Sequence, residues 1–368
     1  MKKILFIWSQ IDNNGGAEFA LVDLLHNLYP YYKIDVLCHE NVYKQVLPAE
    51  INILFVSQPS QNKIIKLINK FKLMYKLFQL VNKYDLLILN DVPFINVIVW
   101  FVTRITRSKY LIWVHSCRDE IKPANKKWIQ FLYKKSAICA PCIVCVSNYA
   151  AKSMRNYLNP SVANIEVIYN IIIRKIPISD DISLPNDIVK ICAVGRLAHE
   201  KNFALLIEAL NIIKKQANNK FHLYLCGDGL ERQSLEELIK KYQLNELVTL
   251  VGHTVHVMNY INQCDILVSS SNSESFSLVV CEGLLCNKAL IVTNTGAAEV
   301  VEYGKYGVVV ERNNVKQMSA ALLELVDNAE LRKQYGDKAH NALHKFNSAG
   351  IVKRWIETIE KITHADKE

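Results

Sequence analysis

The stretch CDILVSSSNSESFSLVVCEGLLCNKALIVTNTGAAEVV, residues 264–301, decides the fold class. It opens on the apolar run DILVSS, crosses a polar loop, enters the helix-length SLVVCEGLLC and returns to a second apolar run, ALIVTN. Strand, loop, helix and strand in that order make a βαβ unit, which joins parallel strands. The helix is expected to open near Ser275 or Ser277. Its first amides are then unpaired, with Glu274 in the loop before it and Glu282 within its first turns.

The same alternation runs outward in both directions. KILFIWS, IDVLCH, NILFV, DLLILN, YLIWVH, CIVCVSN and EVIYN punctuate the first half, and VKICAVG, FHLYLCG, LVTLVG, DILVSS, ALIVTN and GVVVE the second, with helix-length segments between most of them. The pattern predicts an α/β chain of two doubly wound, mainly parallel units, over residues 1–175 and 185–350. The linker falls at IIIRKIPISDDISLPND, residues 171–187, where the pattern dissolves into two prolines and an acidic turn. A last amphipathic helix, around Val352–Ile362 within residues 350–368, is expected to pack back on the first unit. Two such units are expected to leave a cleft, and ligands of open parallel sheets sit beyond the carboxyl ends of the strands.

Composition narrows the class. An apolar share of 51% with 21% charged residues fits a folded α/β protein and excludes extended disorder. The net charge of +9 suits a phosphorylated ligand or an anionic membrane surface. No helix-turn-helix spacing, paired Cys/His finger or basic zipper accompanies it, so no nucleic acid partner is expected. MKKILFIWS breaks at Gln10-Ile11-Asp12 without a cleavage site and reads as a first strand. With ten cysteines and no secretion signal, a reducing, cytoplasmic setting is expected. Cys139, Cys142 and Cys145 lack a fourth nearby ligand and read as packing residues of a buried strand. Residues 86–103 approach membrane-span length, yet Asn90, Asp91, Pro93 and Asn96 make them strand, loop and helix.

Several residues fall where chemistry is expected. Gly15 and Gly16 allow a tight turn whose amides approach an anion at the next helix, although an ordinary strand-to-helix turn explains them as well. The GxGxxG fingerprint of nicotinamide enzymes is missing. His115 ends the run YLIWVH, where a neutral imidazole could meet a ligand or serve only packing. In VKICAVGRLAHEKNFALL, Arg196 follows a strand and Lys201 precedes Asn202, a candidate helix cap. Two cations converging on a helix N-terminus suit a diphosphate, the alternative being solvated surface charge. A carboxylate accepts two hydroxyls at once, so Glu282 suits a ribose diol and Glu274 the hydroxyls of a sugar, unless both merely line a solvated helix face.

The ordered set GGAE at residues 15–18, His115, GRLAHEKN at 195–202, GDG at 227–229 and Glu274-x7-Glu282 resembles the family 4 glycosyltransferases over nearly the whole chain. The resemblance implies the GT-B fold, two Rossmann-like domains facing each other across a cleft. It also implies metal-independent transfer, with retained anomeric configuration, from an NDP-sugar, UDP-sugar first among them. Arg196 and Lys201, beside Gly195, would then hold the diphosphate, Glu282 the ribose, and the amides of Phe276, Ser277 and Leu278 sugar or phosphate. Gly15 and Gly16 line the phosphate site, Glu274 lies beside the sugar, and His115 faces it from the first domain. Asn170 and His253 complete the implied nucleotide-sugar contacts. Glu274, His115, Arg196 and Lys201 form the implied catalytic set, with no cofactor and no metal.

Two departures stand out. The family commonly has EGFG where this chain has Glu274-Ser275-Phe276-Ser277, and Asn-Gly-Ile-Asp where it has Asn170-Ile171-Ile172-Ile173. A saccharide acceptor, polyprenyl-linked, in surface polysaccharide synthesis (O-antigen, capsule or lipopolysaccharide) is the expected partner. A nucleotide-sugar epimerase of the same build and a non-catalytic sugar-nucleotide binding protein are the alternatives. Donor incubated alone separates an epimerase from a transferase.

NKIIKLINKFKLMYKLFQL, from Asn62 to Leu80, carries a stripe of Ile64, Ile68, Phe71, Tyr75 and Phe78 between Lys63, Lys66 and Lys70 on one side and Lys72 and Lys76 on the other. With KKWIQFLYKK, Lys126–Lys135, it suggests a peripheral place on the inner face of the plasma membrane. A stripe that faces the core beneath solvated lysines is the other outcome.

Overall fold

The computed structural model describes residues 1–8, 15–38, 47–56, 62–120, 126–158, 164–172 and 182–364. All thirteen apolar runs are strands. The first sheet holds β1 (Lys3–Trp8), β2 (Lys33–Cys38), β3 (Asn52–Phe55), β4 (Leu86–Asn90), β5 (Tyr110–Val114), β6 (Cys142–Cys145) and β7 (Ile165–Val167). They stand in the order β3-β2-β1-β4-β5-β6-β7, every pair parallel. The second holds β8 (Val189–Val194), β9 (Phe221–Cys226), β10 (Val248–Gly252), β11 (Ile266–Ser269), β12 (Ala289–Thr293) and β13 (Val308–Val310), ordered β10-β9-β8-β11-β12-β13 and again parallel. Unbroken apolar runs such as YLIWV and ALIVT are buried at every residue, as strands covered by helices on both faces require.

The chain divides into two compact units, Met1–Ile173 with Phe346–Glu368, and Arg174–Lys345. Most of the expected linker, residues 173–181, lies outside the described residues. The final helix, α13 (Ser348–His364), belongs to the first unit. Trp355 meets Trp113 with ring centroids 5.1 Å apart. Thr358 Oγ1 donates to Glu166 Oε2 at 2.8 Å, and Lys109 Nζ to the Ile362 carbonyl at 3.0 Å.

In each sheet the strand order reverses direction once, between β1 and β4 and between β8 and β11. Right-handed crossovers therefore place α1 (Gly16–Leu28) on one face of the first sheet. They place α2 (Lys63–Leu80), α3 (Pro93–Thr106), α4 (Lys127–Ile138) and α5 (Asn148–Leu158) on the other. In the second unit, Leu206 and Leu210 of α6 (Phe203–Ile213) and Met318, Leu322 and Leu325 of α11 (Val315–Asp327) close one core with Ile191 and Ala193 of β8.

Residues 86–103 form β4 and the start of α3, and among the described residues no helix is long and apolar enough to cross a membrane. One expectation fails. Cys142 and Cys145 are buried in β6, but Cys139 ends α4 and is exposed, because the strand starts three residues later. Burial pushes the Cys142 thiol up to about 12.

Candidate active site

In the second unit the carboxyl ends of β8 and β11, on either side of the reversal in strand order, carry the predicted charges. Gly195 follows β8, and a Cβ added to Gly227, just past β9, would stand 1.9 Å from its carbonyl oxygen. Only glycine lets the two strand ends come so close. The 195–202 segment then runs beside the 270–274 loop. Ser270 Oγ donates to the Lys201 carbonyl at 2.9 Å and the Asn272 amide to the Glu200 carbonyl at 2.8 Å. This pairing delivers Lys201 Nζ to Glu274 Oε2 at 2.5 Å, an ion pair that is mostly shielded from water. Ser271 Oγ donates to the same carboxylate oxygen at 3.3 Å.

Arg196 and Lys201 each hold a carboxylate of their own: Arg196 Nη2 pairs with Glu200 at 3.1 Å and its side chain is 74% exposed. One expectation for this segment is corrected. Asn202 precedes α6 but does not cap it. Its backbone is left-handed, at φ +47°, and its amide donates instead to Asn272 at 3.0 Å and Asn313 at 3.1 Å.

The helix after the loop, α9 (Leu278–Leu285), opens where the polar-to-apolar switch placed it: Ser277 is the cap, and its hydroxyl accepts from the Val280 amide at 3.4 Å. Phe276 is buried beside the cap, Leu278 is the first helical residue, and Glu282 is buried in the second turn. Gly296 locks the loop from behind. Its amide donates to the Glu274 carbonyl at 2.7 Å, and a Cβ there would lie 2.2 Å from the Ser275 oxygen. Glu299, in α10 (Gly296–Val300), is a second buried carboxylate that the sequence reading passed over, although TGAAE after a strand was its signal. His253 lies exposed just past β10, outside this hydrogen-bonded set.

In the first unit, Gly15 precedes α1 in an extended conformation, with Gly16 as the first helical residue. The Glu18 carboxylate folds back over the turn, so a Cβ on Gly15 would meet Glu18 Oε2 at 1.9 Å. Asp12, Asn13 and Asn14 of the same turn lie outside the described residues. His115 follows β5, its ring 4.3 Å from that of Trp113 and 5.7 Å from that of Trp8. Burial pushes its imidazole down to about 3 against the opposing pull of the Asp91 charge, so it is neutral at physiological pH. Asn170, beyond β7, is buried with its Oδ1 lacking a hydrogen-bond partner, and Ile171 after it is buried too.

At the ends of β4 and β5 stands a network that the sequence reading did not assign. Asp91 Oδ2 accepts from Arg118 Nε at 2.5 Å and from Ser116 Oγ at 3.1 Å, and Asp91 Oδ1 accepts from the Tyr133 hydroxyl. Arg118 also donates to the Asp91 carbonyl and lies 5.1 Å over the Tyr133 ring. Burial works against the guanidinium charge, but Asp91 outweighs it and holds Arg118 above its ordinary value.

Comparison with known proteins agrees with this layout. The profile of the family described as Glycosyl transferases group 1 matches residues 176–342, nearly all of the second unit. Over 96% of this chain and 98% of its own length, the N-acetylgalactosamine-N,N'-diacetylbacillosaminyl-diphospho-undecaprenol 4-alpha-N-acetylgalactosaminyltransferase of Campylobacter jejuni is 28% identical. The amylovoran biosynthesis glycosyltransferase AmsD of Erwinia amylovora is 24% identical over 98% of this chain and all of its own. Among solved structures, Anabaena HepE in complex with UDP superposes with a TM-score of 0.78 at 20% identity, over 98% of this chain and 100% of that one. The fold is that of the GT-B glycosyltransferases. With its parallel sheets, its charged strand ends and these relatives together, the chain is a glycosyltransferase whose second unit is similar to the group 1 glycosyl transferases.

Proposed function

We propose that the protein transfers a hexose or N-acetylhexosamine, with retention and without a metal ion, from a UDP-sugar to a lipid-linked saccharide in surface polysaccharide synthesis. The observation that carries this is the Lys201–Glu274 pair at the point where the second sheet reverses its strand order, with Arg196 on the same segment held by Glu200. An incoming diphosphate takes Lys201 from Glu274 and Arg196 from Glu200, so that both cations meet the leaving group and Glu274 is released to the sugar hydroxyls. Glu282 takes the ribose, and the opening amides of α9 add donors for phosphate or sugar. In the first unit His115 supplies a neutral imidazole at its own strand end.

The acceptor hydroxyl attacks the anomeric carbon on the face from which the diphosphate departs. The carbon–oxygen bond to phosphate breaks as the new glycosidic bond forms, and the acceptor proton passes to the departing phosphate oxygen. Cations fixed where that negative charge develops lower the barrier, typically by about 2.7–4 kcal/mol for one donor group. Support for donor and acceptor comes from the UDP bound by HepE, the undecaprenol-linked acceptor in the name of the Campylobacter relative, and the amylovoran pathway of AmsD.

A thermal-shift panel of UDP-, GDP-, ADP- and dTDP-sugars tests the donor, because a tight ligand stabilises by mass action. A UDP-sugar is expected to give the largest shift. Arg196→Ala and Lys201→Ala are expected to lower turnover about 10²–10³-fold each with stability unchanged. Undiminished turnover in both would remove the diphosphate assignment.

A further inference from the structure

The outer surface of α2, α3 and α4 differs from the rest of the molecule. Together these helices carry nine Lys or Arg and no Asp or Glu, a surplus equal to the whole chain's net charge of +9. They also carry nine of the sixteen large apolar side chains exposed among the described residues. Those nine are Ile65, Ile68, Phe71 and Tyr75 on α2, Phe101 and Ile105 on α3, and Trp128, Phe131 and Ile138 on α4.

On α2 the burial runs opposite to a core-facing stripe. Among the described side chains of the helix, Asn69, Leu73 and Leu77 are buried, while Phe71 is 59% and Tyr75 66% exposed. The sheet is thus already covered by one side of the helix, and the aromatic side is left over. The three helices are neighbours, with α3 packing between α2 and α4. Lys70 of α2 sits 4.2 Å over the ring of Phe94 on α3, and Lys135 lies 4.7 Å over the ring of Phe131. Exposed aromatics interleaved with ammonium groups, and no acid to repel an anion, are the composition of an interfacial surface.

We propose that the α2–α3–α4 face docks flat on an anionic lipid bilayer, with Phe71, Tyr75, Phe101, Trp128 and Phe131 entering the headgroup boundary and the lysines on the lipid phosphates. The proposal deepens the lipid-linked acceptor of the proposed function and rests on that reading only for its purpose, since the surface chemistry stands without it. A second copy of this chain is disfavoured as the occupant, because two faces with nine cations and no acids would repel one another.

Flotation of the full chain with vesicles tests it. The protein is expected to float with phosphatidylglycerol-containing vesicles at low salt, to stay behind with phosphatidylcholine alone, and to be released as salt rises. Lys72→Gln/Lys76→Gln/Lys135→Gln should weaken partitioning about a hundredfold. Phe71→Ser/Trp128→Ser/Phe131→Ser should remove the fraction that survives high salt, and circular dichroism melts should show both variants folded. Failure of the unaltered protein to float, equal flotation of the lysine variant, or a dimer in sedimentation velocity that the serine variant dissolves would each overturn it. Turnover with a short water-soluble acceptor, read in parallel, separates the two proposals. Lost flotation with turnover intact removes the docking face alone, and lost turnover with flotation intact removes the donor assignment alone.

Discussion

At the carboxyl edge of the first sheet, the charge of Asp91 is buried and met by Arg118, Ser116 and Tyr133. At the corresponding edge of the second, Lys201 and Glu274 hold one another in a partly shielded pair and Arg196 is mostly exposed on Glu200. Both edges are strand ends of the same winding, yet one is a satisfied network and the other a set of pairs that a ligand can exchange. A buried ion pair fixes geometry, because breaking it strands a charge, whereas an exposed pair such as Arg196–Glu200 costs little to open. The first arrangement suits a scaffold and the second a binding site.

The sharpest way to break the contrast is to remove Asp91. Asp91→Ala leaves Arg118 buried without its partner and should destabilise the first unit by about 3–5 kcal/mol. All five tryptophans, Trp8, Trp100, Trp113, Trp128 and Trp355, lie in that unit, so a melt followed by tryptophan fluorescence reads it alone. Adding Arg118→Leu should recover part of the loss, since an uncharged pair has no stranded charge. A melt unmoved by Asp91→Ala would show that the network is as exchangeable as its counterpart.

A smaller effect is expected from Gly296→Ala. The new Cβ would sit 2.2 Å from the Ser275 oxygen and 2.5 Å from the Glu274 oxygen, both backbone atoms, so the loop must move and carry Glu274 off Lys201. Transfer kcat/KM should fall roughly tenfold, about 1.4 kcal/mol, with fluorescence of the first unit unchanged. Full activity would mean that the Glu274 loop is not held in place for catalysis.

The smallest effect concerns pH. His115 binds its proton at about 3 in the folded protein and near 6.5 when unfolded. Between those values the unfolded state holds the extra proton, so stability from this residue is full above pH 6.5 and declines as pH falls toward 3. His115→Gln should flatten that part of the stability profile, and the unaltered enzyme should show no rate inflection near pH 6.5 from His115. An imidazole titrating near 6.5 by NMR would show the first edge to be open to water.

How much was legible follows from which interactions are local. Strands such as YLIWV and ALIVT were readable because a parallel strand buried under two helix layers is apolar along its whole length. The Ser277 cap was readable because polar loop gives way to apolar helix at that residue. Asn202 misled for the converse reason: its composition suits a cap, but Asn272, 70 residues on, and Asn313 take its amide. Cys139 misled because the two-residue cysteine spacing ran across a helix end.

The sequence by itself determined the winding of two parallel sheets and the presence of Lys201, Glu274 and Glu282 at strand and helix ends, since these follow from hydrophobic period and turn chemistry. Only the tertiary structure decided who holds whom. The Lys201–Glu274 pair and the Asp91–Arg118–Tyr133 network each join residues far apart in the sequence. It also decided which side of α2 faces out, because that side is set by what the sheet can cover and not by which stripe is the more apolar.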